Sequence, residues 1–485
     1  MPVLLLLALA GAVAFISLHA PGNVSHPNVE FTATTVAQAP PKPQPRPRVA
    51  VDEFGWPWYG YDPGRTRFFP DGSKLDPPLR QGWSYDDGGL LEFPPVIYSN
   101  TLYFVDDNGW VHAVNTAGGQ LRWQHQVGTL AAASPAIDVQ DKLVMVPVLS
   151  QDPNAGKTST PGDGRFVAVA MSTGRVVWSN PIPAGTESSP LVWNGTVYFG
   201  DQSGTVYALR ARDGHVDWTF HAQGAVKGGL SLSGGLLYFG DYAGRVYAIS
   251  ASTGRQAWSV GTSGAQFGFS SGQFYSTPAV ALGRVYIGNT DGRVYSFAAR
   301  TGQLAWATGT GAYVYASAAV EDTPGLGPTV YIGSYDANFY AFNAQSGALR
   351  WTHNAGGKIS GSATIVGDVV YYSDLGSRTT AGLDVRTGSQ VFSFPDGLFN
   401  PVVADDGAIY MIGRQTIYQM LPARRPRVVP AARGHAGSAA ASPAVAAISS
   451  FSPGPSGYSP AASPFTLLAS PSAIPVPLIV RARRS

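Results

Sequence analysis

Two of the five glutamates in this 485-residue chain, Glu92 and Glu187, occupy the same place in a recurring pattern. Each lies two residues before the start of an S-P-A-V-like segment, and Lys227, Tyr275 and Tyr315 fall at or next to the corresponding place in later copies. Carboxylates, an ammonium and phenols converging from several segments would make a charged, hydrogen-bonding mouth. Such a mouth holds a polar ligand or receives a peptide, with Phe269, Phe274 and Tyr313 as apolar contacts. The alternative reading is a solvated opening with no ligand.

Other reactive chemistry is thinly represented. The chain has no cysteine, which excludes disulfides, thiolate metal sites, cysteine nucleophiles and a lipidated cysteine anchor. Of the eight histidines, His125, His221 and His353 each follow a tryptophan by two or three residues in different repeats. They should therefore be far apart, and no metal site is expected. Gly156-Lys157-Thr158 superficially suggests a phosphate loop, but position 151 is Gln where that motif needs Gly, and no helix pattern follows. It reads better as part of an insertion, residues 150–164. Asp106, Asp201, Asp241 and Asp291 read as hairpin-turn residues, and no Ser, His and Asp set stands out from the repeats.

The elements that must position these residues are legible from the repeat itself. A Y-[FI]-G strand, a polar turn, a second strand and A-x-[DN]-x-x-[ST]-G-x-x-x-W recur, ending at Trp123, Trp178, Trp218, Trp258, Trp306 and Trp351, with Phe392 in the seventh copy. Counted from an isolated Trp83, the intervals average about 44 residues, the period of propeller blades with four short strands each. The third unit illustrates the pattern: strands are expected over residues 189–193, 196–200, 205–210 and 215–220, with hairpins at Asn194-Gly195 and Asp213-Gly214. Residues 400–421 supply three further strands but no outer one. Residues 79–85 around Trp83 supply the missing strand, so the ends should close an all-β, eight-bladed propeller of four-stranded antiparallel blades.

The docking phrase and the opening Gly55–Pro70, GWPWYGYDPGRTRFFP, resemble the quinoprotein (PQQ-repeat) β-propeller superfamily. The resemblance covers about 370 residues and implies that Trp83, Trp123, Trp178, Trp218, Trp258, Trp306, Trp351 and Phe392 are structural residues packed between blades. It extends to catalytic members, pyrroloquinoline quinone (PQQ) alcohol dehydrogenases, and to non-catalytic BamB-like scaffolds of outer-membrane assembly. The catalytic members use an adjacent cysteine pair, a calcium-binding set of Glu, Asn and Asp, and an aspartate base. This chain has no cysteine, and no segment matches the calcium set. The resemblance therefore implies a binding or scaffold module in the cell envelope, with no catalytic residue and no cofactor expected. A PQQ- and calcium-dependent oxidoreductase with a diverged site, or a solute sensor, is the alternative.

The flanks suggest where such a ring would reside. Pro2 to Leu18 is an uncharged, mostly apolar run long enough as a helix to reach about 26 Å, so residues 1–20 read as a membrane anchor or a signal peptide. Residues 21–52 read as a proline-rich spacer, 53–421 as the ring, and 422–485 as a disordered Ala/Ser/Pro/Arg tail. The ring segment carries more acidic than basic residues, which argues against nucleic acid as a partner. Envelope or membrane proteins, or peptides, are the expected partners of a monomeric, extracytoplasmic ring, secreted if residues 1–20 are removed.

Overall fold

Short Val-, Tyr- and Phe-rich segments separated by Gly turns cannot each bury both faces alone, and they resolve here into eight small sheets that cover one another. The computed structural model describes residues 23–32, 55–152, 163–262 and 272–423. Four antiparallel strands make up each blade, with one blade closed by the strand Leu79–Asp86 pairing with Thr416–Pro422. This removes two sheet edges and joins the start of the ring to its end. Blade one runs from Val96 to Gln126, blade three from Leu191 to His221, and blade eight from Val402 to Pro422 plus the closing strand. The Asn194-Gly195 hairpin has both residues at positive φ, 49° and 75°, as a two-residue turn matched to strand twist requires.

Alternation along the second strand of a blade feeds two interfaces at once. In Thr196–Gly200, Val197 and Phe199 pack with Phe166 and Trp178 of blade two, while Tyr198 packs with Leu237 and Phe239 of blade four. Phe199 stacks on Phe166 with centroids 4.2 Å apart. This double use explains why the strand cores are buried although no blade has a core of its own.

The tryptophans form a repeated latch between neighbours. Each indole N–H donates to a backbone carbonyl of the following blade: Trp83 to Thr116 (2.8 Å), Trp178 to Ala211 (2.8 Å), Trp258 to Ala299 (2.9 Å) and Trp306 to Ala344 (2.8 Å). Trp123, Trp218 and Trp351 do the same to Met171, Ala251 and Val385. The Gly of the following blade's turn lies flat on the indole; a Cβ on Gly254 would sit 2.7 Å from Trp218 Cε3. Phe392 is the exception with a reason. The blade after it is closed by Leu79–Asp86 arriving from elsewhere in the chain, so no turn joins its third and fourth strands, and the turn that brings the docking glycine against the indole in the other blades is missing.

The Gly55–Pro70 opening is built into the channel. Gly55–Trp56 pairs with Ile97 and Tyr98 of blade one, and the carbonyls of Pro57, Pro63, Gly64, Thr66 and Arg67 accept from Ile137, Leu232, Val280, Val320 and Ile365. One short segment thus touches the inner strands of blades one, two, four, five, six and seven in order. Arg65 and Arg67 are fully buried in it. Arg65 donates to the carbonyls of Tyr59, Ser189, Pro190 and Leu230, and Arg67 to those of Arg65 and Ala318.

One expected boundary changes. Residues 23–32, assigned to a proline-rich spacer by composition, dock on blade five: Val24 and Ser25 pair with Ala307 and Trp306, and Val29 and Phe31 join the neighbouring core. Arg284 holds this segment through the carbonyls of Val29 and Glu30. A spacer with two apolar side chains and a strand-forming pair has enough to bury. The expected anchor, the G-K-T segment and residues 424–485 of the tail lie outside the described residues.

Candidate functional site

The residues preceding the inner strands converge on one end of the channel. Glu92, Glu187, Lys227, Tyr275 and Tyr315 line a central cavity of about 270 Å³, with Tyr59 of the opening segment as part of its floor. They are brought together because each inner strand begins beside the axis, so equivalent positions in different blades become neighbours. The hydroxyls of the S-P-A-V-like segments form a collar just below. Ser189 Oγ accepts from Ser134 N–H (3.1 Å), Thr277 Oγ1 from Gly229 N–H (2.8 Å) and Ser317 Oγ from Thr277 N–H (2.9 Å). Ser362 Oγ and Asn400 Oδ1 continue it, accepting from Ser317 and Ser362. The repeated Ser is therefore an interblade clasp.

Glu187 is the hub of the wall. Its Oε1 accepts from Lys227 Nζ at 2.8 Å and Gln202 Nε2 at 2.7 Å, and its Oε2 accepts from Tyr275 hydroxyl at 3.2 Å. Burial, with Glu187 and Glu92 nearby, holds the Tyr275 phenol well above its ordinary range, so it stays a donor. At the floor, burial works to raise the Tyr59 phenol. The Arg67 guanidinium 4.7 Å from the ring centroid and the hydroxyls of Ser362 and Ser317 outweigh it, and the phenol lies below its ordinary value.

Beside this hub runs an arc of five tyrosines from blades four to six. Tyr242 and Tyr275 lie 6.4 Å apart between centroids, Tyr275 and Tyr315 5.7 Å, Tyr315 and Tyr335 4.8 Å, and Tyr313 and Tyr315 6.0 Å. Ammonium groups cap its ends, Lys227 over Tyr242 and Lys358 over Tyr335. Tyr313 is 53% exposed, the outermost ring of the arc. Tyr242, Tyr335 and Lys358 were not reached from sequence. The signal for the two tyrosines is an aromatic in the turn after the second strand, where the third unit has Gln202, whereas Lys358 lies two residues before Ser360 in the connection to the inner strand of blade seven.

Phe274 departs from expectation. It is fully buried between blades four and five, packed with Ile287 and Tyr295, because it precedes the rim residue Tyr275 and so points to the opposite side. It is core, not a rim contact. Phe269 lies outside the described residues. Gln151 Nε2 donates to Val127 carbonyl at 2.8 Å and Thr129 Oγ1 to Asp152 carbonyl at 3.0 Å, so residues 151–152, at the start of the 150–164 insertion, are tied to the connection that leads into the inner strand of blade two. His125, His221 and His353 stay on the outer strands of blades one, three and six.

The cavity does not suit PQQ with calcium. PQQ carries three carboxylates, whereas the wall offers two carboxylates against Lys227, whose charge Glu187 already satisfies. Both carboxylate oxygens of Glu187 are engaged, so a calcium ion there would have to displace Lys227, Gln202 or Tyr275.

Sequence and fold comparisons agree with this architecture. The family described as outer membrane protein assembly factor BamB matches residues 79–220 and again 218–425. The chain is 31% identical over 127 residues to BamB of Moranella endobia (strain PCIT), covering 26% of this chain and 30% of that protein. It is 24% identical over 180 residues to BamB of Escherichia coli (strain K12), covering 29% and 46%. The matched region thus spans less than half the length of these curated relatives. Among solved structures, BamB from Moraxella catarrhalis superposes with TM-score 0.56 at 17% identity, over 72% of this chain and 99% of that one. The quinohemoprotein alcohol dehydrogenase ADHIIG from Pseudomonas putida HK5 gives TM-score 0.62 at 15% identity, over 77% and 82%. These two likenesses establish the shared ring alone. With the family matched across most of the ring, the chain belongs to the BamB family of PQQ-type β-propellers.

Proposed function

We propose that this chain is a non-catalytic binding module of the cell envelope, tethered through Pro2–Leu18, which receives a segment of an envelope protein on the rim around the central cavity. The observation that carries the reading is the tyrosine arc. Tyrosine supplies large, stiff contact area and a polar tip, and five rings graded from the partly buried Tyr275 to the exposed Tyr313 form a ready surface for a peptide. Two further features support it. Arg65 and Arg67 fix the opening segment beneath the cavity, so a partner has a floor to meet. The names of the curated relatives describe outer-membrane assembly, a task of protein partners.

The test is site-specific photocrosslinking in the full chain in cells. A photoreactive residue at Tyr313 should give a discrete adduct with an envelope protein, whereas one at Val177, equally exposed on an outer strand, should not. Adding Tyr315→Ala and Tyr335→Ala should remove the adduct. Equal labelling from both sites, or an adduct that survives both substitutions, would count against the rim as the binding surface. Titration with PQQ and calcium should show no saturable binding.

A further inference from the structure

The repeat contains its own control for one unusual cluster. In blades three and four a turn aspartate is met by a tyrosine six residues later: Tyr207 hydroxyl donates to Asp201 Oδ2 at 3.0 Å, and Tyr247 hydroxyl to Asp241 Oδ2 at 2.8 Å. Blade one keeps the aspartate, Asp106, but places His112 where the tyrosine belongs. A second carboxyl arrives from the ring closure, since Asp87 follows directly on the closing strand Leu79–Asp86. Ligand atoms of Asp87, Asp106 and His112 all lie within 4.8 Å of one another.

These groups are buried and short of partners. The Asp87 side chain is 0% exposed and that of His112 5%. His112 Nε2 stands 3.1 Å from Asp87 Oδ1, yet neither Nε2 nor either oxygen of Asp87 completes a hydrogen bond of normal geometry. The imidazole is fixed in place: it stacks on Phe104 at 4.8 Å and 4°, and Tyr85 hydroxyl meets Nδ1 at 3.4 Å, leaving Nε2 to face the carboxyls. Asp106 Oδ1 accepts from Trp110 N–H at 2.8 Å and Oδ2 from Asn108 Nδ2 at 3.3 Å, ordinary turn contacts that orient it. The backbone is pressed close as well, for a Cβ on Gly89 would lie 2.4 Å from Asp106 Oδ2 and 3.0 Å from Asp87 Oδ2. Two carboxylates buried together without a cation are costly, whereas one divalent ion neutralises both.

We propose that Asp87, Asp106 and His112 form a binding site for a divalent transition-metal ion, zinc by preference, that fastens the closing strand to blade one. Two carboxylates and one neutral imidazole are a donor set such ions accept, with water completing the shell. Metal–ligand bonds of about 2.1 Å keep donors within about 4.2 Å of each other, so binding needs a closing shift of roughly half an ångström. The position gives the ion a structural task. Leu79–Asp86 is hydrogen-bonded to blade eight, and the ion would tie its end to the Val105–Val111 hairpin of blade one, across the seam of the ring.

The experiment uses the untagged full chain in detergent, with zinc content measured by mass spectrometry and zinc titrated by calorimetry and thermal melting. His112→Tyr installs the residue that the repeat itself uses beside its turn aspartate, so the ring is expected to fold; Asp87→Asn preserves shape. The parent should bind one zinc per chain and melt higher with zinc than with chelator. Both variants should bind at least about 100-fold more weakly and lose the melting shift, while His125→Ala behaves as the parent. The inference is overturned if the parent takes up no zinc, or if His112→Tyr and Asp87→Asn bind zinc as the parent does.

Discussion

Replacing Trp306 by Ala tests the latch where it is deepest. The other six docking indoles, from Trp83 to Trp351, are partly exposed, but Trp306 is fully buried because the strand Val24–Ser25 pairs alongside it. Removing the ring exposes or empties roughly 200 Å² of apolar contact, worth about 5 kcal/mol at about 25 cal/mol per Å². Loss of the N–H to Ala344 carbonyl adds little, since Tyr286 hydroxyl also donates to that oxygen at 3.3 Å. Trp306→Ala should therefore cost about 4 to 5 kcal/mol, and Trp218→Ala about 3, within the range for large-to-small core changes. The assay is urea unfolding of the full chain in detergent, followed by far-ultraviolet circular dichroism and compared at a common slope. Phe392→Trp is the companion, and it should bring no stabilisation because the following blade lacks the turn against which the other indoles dock. A Trp306→Ala cost at or below that of Trp218→Ala, or a stabilised Phe392→Trp, would refute the account of what these rings do.

Arg65→Met should cost on the order of 3 kcal/mol by leaving up to four carbonyls short of a donor, and limited proteolysis should then cut within residues 55–69, where the parent resists. Gly254→Ala should destabilise by about 1 to 3 kcal/mol, because φ is 68° and the new methyl meets Trp218; thermal melting that leaves the variant unchanged would contradict the close docking. Glu321 is buried and its carboxyl is pushed up from 4.5 to about 7, chiefly by burial. Its folded value is raised, so the associated stability is full below pH 4.5 and is lost as pH rises through about 7, an effect of up to about 3 kcal/mol. Glu321→Gln, which keeps an acceptor for Thr323 hydroxyl, should flatten the unfolding free energy across that window; an unchanged pH profile would exclude Glu321 as the cause.

The rim shows how far residue order reaches toward a site. Glu187, Lys227, Tyr275 and Tyr315 were legible because a propeller maps equivalent repeat positions onto one ring about the axis, so counting from the inner strand is enough. Phe274 was misassigned because adjacent residues at a strand entrance face opposite ways, and one step along the chain moved it from rim to core. Tyr242 and Tyr335 were overlooked because they come from another connection, which meets the first only in three dimensions. The spacer assignment failed at residues 23–32 for a related reason: composition does not reveal a docking surface on blade five that a few apolar side chains complement.

By itself, the sequence determined the eight-bladed ring, its closure by Leu79–Asp86 and the latch tryptophans, because these follow from local period and turn chemistry that each blade repeats. Only the tertiary structure decided what stands beside what across blades: Arg65 and Arg67 under the cavity floor, the tyrosine arc around Glu187, and Asp87 next to Asp106 and His112 at the seam. Those neighbours are brought together by the closing of the ring, a long-range event for which no stretch of chain carries a local signal.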